Sequence, residues 1–509
     1  MTEQSVNREQ DKKMGFVVAG LLLGILIASM DNTIVATAMG TIVSELGGLD
    51  KFVWVTSAYM VAAMAGMPIF GKLSDMYGRK WFFLMGLVVF LLGSILCGMA
   101  QNIVQLSIFR AIQGIGGGAL MPIAFTIVFD IFPPDRRGKM SGLFGAVFGL
   151  SSIFGPLLGA YITEYIDWRW VFYINLPLGI ICFSLIWLFY KESPVHTKQK
   201  IDWWGAITMV GAVVSLMFAL ELGGHTYAWD SGVILSLFLS FAVLFTAFIM
   251  IERRAEEPII SFAMFQQRLF GTSTFVSLFY GASFVVGTVY IPIFIQGVLG
   301  GSATNSGLIL LPMMLGSVVA SQTGGMIASK TSYRNTMLIS GVFLITGLYL
   351  LSTISPATTK TMITIYMIIT GMGVGFSFSV LSMASIHHFD IRKRGSANST
   401  NTFLRSLGMT LGITVFGIMQ RNIFTRELSA TMGGASQGSP ISDDPRALLS
   451  PETRAQIPAP VLEKITDALS TSIAQTFLWT LVPAVIAVGI ILFMSKEGLG
   501  DLRKADSRA

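Results

Sequence analysis

Charge is scarce in this chain: only 12% of its 509 residues are Asp, Glu, Lys or Arg, about half the share a soluble globular domain carries. So little polar character cannot cover a water-facing fold of this length, which excludes a soluble enzyme and a disordered chain. Cysteine is nearly absent. Cys97 and Cys182 both sit in apolar runs without metal-binding spacing, so a disulfide scaffold is excluded and both read as small packing residues. Histidine is rare too: His196, His225, His387 and His388 fall in loops or at the ends of apolar runs and form no metal pattern. No metal or cofactor is expected. Nor do the apolar runs contain a His-Asp or Cys-His constellation, and no sizeable soluble domain is present, so neither a membrane enzyme nor a sensor is expected.

What the chain has instead is apolar length: 53% AVILMFWYC, with 53 Gly, 28 Met and 37 Phe. About 20 mainly apolar residues in a helix cross a hydrocarbon core. Fourteen runs meet that length, at about 16–38, 52–71, 81–100, 103–129, 139–162, 168–190, 203–222, 231–250, 272–297, 304–327, 335–353, 361–385, 397–420 and 472–495. The expected fold class is all-α and polytopic. The first run follows a polar segment, Met1 to Lys13, contains Asp31 and lacks a small-residue cleavage site, so it reads as a retained helix. With the N-terminus inside, 24 of the 34 basic residues fall on the cytoplasmic side; Lys51, Arg169, Lys360, Arg426, Arg446, Arg454 and Lys464 fall outside. Both termini are therefore expected in the cytoplasm. The net charge of +6 is this topological bias, and no nucleic-acid partner is needed to explain it.

A shift of 257 residues superposes two stretches without a gap. Gly114, Gly116 and Gly118 fall on Gly371, Gly373 and Gly375, Phe132 on Phe389, Arg137-Gly138 on Arg394-Gly395, and Gly155 on Gly412. The order runs across a helix, a basic loop and the next helix, and predicts two six-helix halves. Domains follow: 1–200, the N-terminal half; 201–270, two inserted helices and a linker; 271–509, the C-terminal half with an extracellular loop at 422–471. Duplicated parallel halves are a transporter architecture, with substrate bound near the midplane at the repeat interface. The ionisable residues are not duplicated: Arg110 falls on Met367 and Asp31 on Thr288.

Asp31 lies roughly 23 Å into the first helix and Arg110 roughly 10 Å from the outer end of the fourth, so their depths coincide. A charge within a span costs at least about 2.5 to 3.5 kcal/mol, so each should face protein, water or a partner. Two readings stand: a proton-exchanging pair, in which arginine favours the carboxylate and burial opposes it, or a permanent structural ion pair. Gln113 and Gly114 share the helix face of Arg110, and Gly116 to Gly118 permit close helix approach. The loop Gly71-Lys72-Leu73-Ser74-Asp75-Met76-Tyr77-Gly78-Arg79-Lys80 sets one acid among bases; Asp75 precedes a helix start and can pair with Arg79, as a latch would require. The fifth run carries Gly142, Gly145, Gly149, Gly155-Pro156 and Gly159, a hinge, a seal or a static kink. Arg405, deep in the thirteenth run, needs a partner or water, and reads either as a structural cation or as a contact for an anionic substrate. Adaptable apolar or amphipathic side chains that suit a site for greasy molecules are Met30, Gln113, Phe279, Phe284, Tyr290, Phe294, Gln296 and Trp479. Residues 460–469 show helix-spaced apolar positions and read either as a cap over the outer vestibule or as a loop.

Together these segments resemble the major facilitator superfamily, and within it the fourteen-helix drug:proton antiporters, over essentially the whole chain. Gly71 to Lys80 is similar to the loop 2–3 motif; Leu106, Arg110, Gln113 and Gly114 to the helix 4 motif; Gly142, Gly155-Pro156 and Gly159 to the antiporter motif of helix 5. Asp31-x-Thr33-Ile34-Val35 and Trp168-Arg169-Trp170-x-Phe172-x-Ile174-Asn175-x-Pro177 resemble the helix 1 and helix 6 motifs of the fourteen-helix branch. The resemblance implies proton coupling at Asp31 and Arg110, a conformational latch at Gly71, Asp75, Gly78, Arg79 and Lys80, and export rather than uptake through the helix 5 glycines. It implies amphipathic drugs as substrates, the proton gradient as energy source, a bacterial cytoplasmic membrane as location and a monomer as functional unit. A same-fold exporter of one lipid or metabolite is the alternative. Ala160 and Ser151 depart from the helix 5 pattern, and helices 9 to 14 carry no acid within their spans, against a strong preference for divalent cations.

Overall fold

The computed structural model describes residues 3–47, 53–192, 202–224, 226–301, 308–432 and 457–498. Lys51, His196, His225, Arg446, Arg454 and the 433–456 portion of the expected outer loop lie outside the described residues. Among the described residues there is no β-strand: the chain is a succession of helices, as expected. In chain order they are α1 (Glu3–Leu46), α2 (Val53–Tyr77), α3 (Arg79–Gly98), α4 (Ile103–Ile131), α5 (Pro134–Tyr165), α6 (Trp170–Tyr173), α7 (Asn175–Phe189), α8 (Trp203–Leu222) and α9 (Gly232–Glu252). Then follow α10 (Phe262–Gln266), α11 (Arg268–Ile293), α12 (Leu311–Lys330), α13 (Tyr333–Leu351), α14 (Lys360–Ile386), α15 (Ile391–Met432) and α16 (Ala459–Leu492).

Twelve helical stretches among the described residues are long and apolar enough to cross a membrane. Two of the fourteen expected spans fall on long helices that are not among those twelve, α5 and α12, both diluted by Gly, Ser and Thr. Burial separates roles within the set. In α4 the buried residues run from Gly116 to Phe129 with only Met121 half-buried, so this stretch of the helix is enclosed by protein. In α9 only Ile234, Phe248 and Glu252 are buried although nearly every residue is apolar. A helix that is greasy all round yet packs so little is stable only against lipid. Large aromatics stand exposed near helix ends, Trp81, Trp187, Trp203 and Trp204 among them, where amphipathic rings favour the membrane–water boundary.

Several boundaries differ from the sequence expectation. The expected helix at 168–190 starts at Trp170 and runs through α6 and α7, with Ile174 between them in the helical region. Residues 460–469 are not a loop but the first turns of α16, continuous with its membrane stretch. Past Pro292, α11 continues as a wider π-helical stretch, Phe294–Val298, the local adjustment made where proline withdraws a hydrogen bond.

The chain divides into two compact units, Met1–Gly271 with Ser382–Phe403, and Thr272–Leu381 with Leu404–Ala509. In the first, α4 packs closely on α2 and α3, and α1 on α5. The glycines of α4 explain the intimacy: a Cβ on Gly114 or Gly118 would run into the backbone of Tyr59 or Ala63 in α2, and one on Gly116 into Phe90 and Gly86 in α3. In the second unit the 257-shifted glycines of α14 do the same: Gly371 meets the backbone of Met313 and Gly375 that of Ser317, both in α12, while Gly373 meets Leu344 in α13. The repeat seen in sequence is thus a repeat of helix contacts, with small residues at matching crossings.

Candidate functional site

The α1 and α4 residues singled out from sequence meet. Asp31 and Arg110 are fully buried and form an ion pair through Arg110 Nη1 and Asp31 Oδ2. The carboxylate has further donors: Gln113 Nε2 at 2.8 Å and Asn175 Nδ2 at 2.9 Å, both on Oδ1. Arg110 is equally occupied. Its Nη1 also donates to Gln113 Oε1 at 2.6 Å, its Nε to the Val55 carbonyl at 3.1 Å, and its plane lies 4.2 Å from the Tyr59 ring centre. Ser94 completes the network, with its Oγ 2.7 Å from Gln113 Nε2 and 3.2 Å from Asn175 Nδ2. Desolvating two charges costs several kcal/mol each, and only such saturation by hydrogen bonds and mutual attraction offsets it. Asn175 and Ser94 were not singled out from sequence: each is a lone polar residue in an apolar run, and only the helix packing brings it to Asp31.

The helix 5 glycines sit beside this network. A Cβ on Gly155 would strike Thr33, and one on Gly159 would strike Thr37 and Ile34, so α5 lies directly against the turns of α1 that carry Asp31. Thr33 Oγ1 reaches back to the Met30 carbonyl at 2.9 Å and across to the Ser151 carbonyl of α5 at 3.2 Å. Pro156 lies inside α5, and Gly142 belongs to the same helix.

The loop motif forms a second cluster. Asp75 accepts from Arg79 Nη2 at 2.9 Å, as expected, but its other donors are the amides of Gly395 at 2.9 Å and Ser396 at 2.8 Å. The helix start that Asp75 meets is therefore that of α15, not α3. Both amides are buried in the first two turns of α15, and a carboxylate is complementary in charge to amides near a helix N-terminus. Arg79 also bonds the Ile391 carbonyl and pairs with Asp130, which in turn holds Arg394 Nη1 at 3.3 Å. Gly71 allows this approach, since a Cβ there would meet Ser399 and the Gly395 carbonyl. Gly78 has φ +113°, a backbone that side chains resist; it leaves room for Glu192, whose carboxylate accepts the Arg79 amide at the start of α3. Lys80 Nζ donates to the Trp187 and Tyr190 carbonyls at 2.8 and 2.7 Å, a cation at the end of α7. Asp130 and Glu192 escaped the sequence reading because their partners lie far along the chain.

The residues expected to line a substrate site are drawn from both units and differ in burial. Gln113 is taken up by the Asp31 network, and Met30 is buried in α1. Trp479 is exposed on α16, Phe279 and Gln296 are half-buried, and Phe284, Tyr290 and Phe294 are buried. Phe284 packs edge-to-face on Phe378, at 5.9 Å between ring centres. Beside them, Arg405 lies over the Phe378 ring at 4.8 Å.

Comparison with known proteins places this architecture. The Major Facilitator Superfamily model matches residues 21–413. The chain is 59% identical over 486 residues to "Multidrug resistance protein 3" of Bacillus subtilis, covering 94% of this chain and 95% of that protein. It is 35% identical to the "Multidrug transporter protein MdtP" of the same organism, over 98% of this chain and 96% of that one. Among solved structures, the proton:xylose symporter XylE superposes with a TM-score of 0.62 at 13% identity, covering 97% of this chain and 99% of that one, a likeness of fold alone. The chain belongs to the Major Facilitator Superfamily, and it is a multi-pass membrane transporter, not an enzyme.

Proposed function

We propose that this transporter is a multidrug exporter driven by proton antiport, taking amphipathic drugs and dyes out by alternating access. The names of its relatives in Bacillus support drug export; the observation that carries proton coupling is the buried Asp31 network. Asp31 in this arrangement has two amide donors and a guanidinium partner, which suit the ionised acid. Withdrawing Arg110 or Gln113 by a small helix shift leaves a buried carboxylate that holds a proton instead. Arg110 keeps the Val55 carbonyl, Gln113 Oε1 and the Tyr59 ring when Asp31 is neutral, so protonation does not orphan it. The α5 glycines against Thr33 and Thr37 let α1 and α5 move as neighbours without intervening side chains.

In the same reading, α5 and α12 also cross the bilayer, giving fourteen spans, with both termini in the cytoplasm of a bacterial cell and the monomer as the working unit. The Asp75–Arg79–Asp130–Arg394 cluster serves as a latch that holds one conformation until the α15 start is released. The positive-inside bias of the loops supports the orientation. The energy source is the proton gradient, and no cofactor enters.

Drug-evoked proton release from acidified inverted vesicles tests the reading. Adding ethidium should alkalinise the lumen in wild type and leave it unchanged in Asp31→Asn at equal expression. Full proton release in Asp31→Asn would move the carrier elsewhere. No response to a dozen chemically varied drugs in wild type would favour an exporter of one lipid or metabolite on the same fold.

A further inference from the structure

Arg405 is a deeply placed membrane arginine that the coupling network does not use. It sits on α15 in the second unit, where its Nη2 donates to the Ser377 carbonyl at 3.2 Å and its plane covers the Phe378 ring. Its Nε is buried without a hydrogen-bond partner among the described residues. No carboxylate among the described residues pairs with it. Sequence gives the reason: residues 272–381 and 404–426 contain no Asp or Glu, and Glu427 lies 22 positions on, roughly 33 Å along a helix.

An arginine always carries its charge and offers five donors in a planar fork. Here one nitrogen is held by a carbonyl and one face by an aromatic ring, which fixes the orientation of the plane without neutralising it. The Nε edge is buried and, among the described residues, unpartnered beside Phe378, on which Phe284 packs edge-to-face. A carboxylate is the group that fits such an edge, two parallel N–H···O bonds in the plane, and an aryl group attached to it finds aromatic neighbours at once.

We propose that Arg405 anchors the carboxylate of aromatic, carboxylate-bearing substrates, with Phe378 and Phe284 contacting the adjoining ring. The inference rests on the exporter reading above and deepens it: this chain handles carboxylate-bearing aromatics as well as neutral and cationic ones, and selects between them at one cation. Arg405 is a specificity residue, and the Asp31 site does not depend on it.

Rhodamine 110, a free carboxylate, and rhodamine 123, its methyl ester, differ only at the group in question. Binding of both to purified transporter is measured by fluorescence polarisation, and uptake of both into inverted vesicles alongside. Arg405→Gln should weaken rhodamine 110 binding at least tenfold and raise its KM for uptake, with rhodamine 123 changed less than twofold; Arg405→Lys should recover part of the loss. Equal binding of the two dyes by wild type, or equal weakening of both in Arg405→Gln, overturns the anchor, and continued uptake of rhodamine 123 then leaves the exporter reading standing. Carboxylate-selective binding without uptake of either dye retains the anchor and removes the exporter reading. Binding of neither dye removes the anchor.

Discussion

Arg110 and Arg405 face the same problem and meet it in opposite ways. Both lie within apolar helices, one in each unit, and each bears a charge that lipid and packed protein resist. Arg110 is saturated: a carboxylate, an amide oxygen, a backbone carbonyl and a ring close around it. Arg405 has one carbonyl and one ring. The difference lies in the environment each repeat supplies, since the position matching Asp31 is Thr288, whose hydroxyl donates to the Val285 carbonyl within its own helix, and the position matching Arg110 is the buried Met367. The two units share the glycine crossings that shape the helix packing and differ in the charges set upon it. Duplication preserved the scaffold; the chemistry became one-sided.

The largest effect should come from breaking the saturated site. Arg110→Ala leaves Asp31 buried without its cation, a change that costs about 3 to 5 kcal/mol when a buried pair loses one member. A drop in thermal stability of the purified protein measures it, and the double variant Arg110→Ala with Asp31→Asn should recover a substantial part. Next come the crossings shared by both units. Gly114→Ala and Gly371→Ala each push a methyl into facing backbone, at about 1 to 3 kcal/mol for overpacking. Similar losses of thermal stability in the two would sharpen the equivalence; a cost at one alone would break it. Asn175→Ala removes one of the donors on Asp31 and should cost about 1 kcal/mol, together with a shift in the pH dependence of drug uptake that a purely structural residue would not give. Arg405→Met should be mildest, within about 1 kcal/mol, because no ion pair is lost and an unpaired buried Nε disappears. A loss as large as that of Arg110→Ala would show that Arg405 holds its unit together after all.

The membrane class, the helical fold and the Asp31–Arg110 pair were legible in sequence because each rests on quantities the sequence states directly: apolar run length, charge scarcity and depth along a helix. Gln113 was legible as a helix-face neighbour of Arg110, although its bonds to Asp31 and Ser94 were not. Asn175 was quoted only within a motif, since nothing in an apolar run reveals that the packing of α7 brings it to Asp31. The amides that receive Asp75 lie 320 and 321 residues away, beyond any local pattern. The continuity of 460–469 into α16 was missed because amphipathic turns joined to a membrane stretch read as two elements by composition and are one by backbone hydrogen bonding.

The central claim is that drug movement is tied to a proton through Asp31, and it is tested most directly by drug uptake into inverted vesicles against a graded pH difference. In wild type, uptake should rise with the gradient and collapse when a protonophore is added. In Asp31→Asn it should fall to a downhill exchange that ignores the gradient. Gradient-dependent uptake that survives in Asp31→Asn would contradict the account.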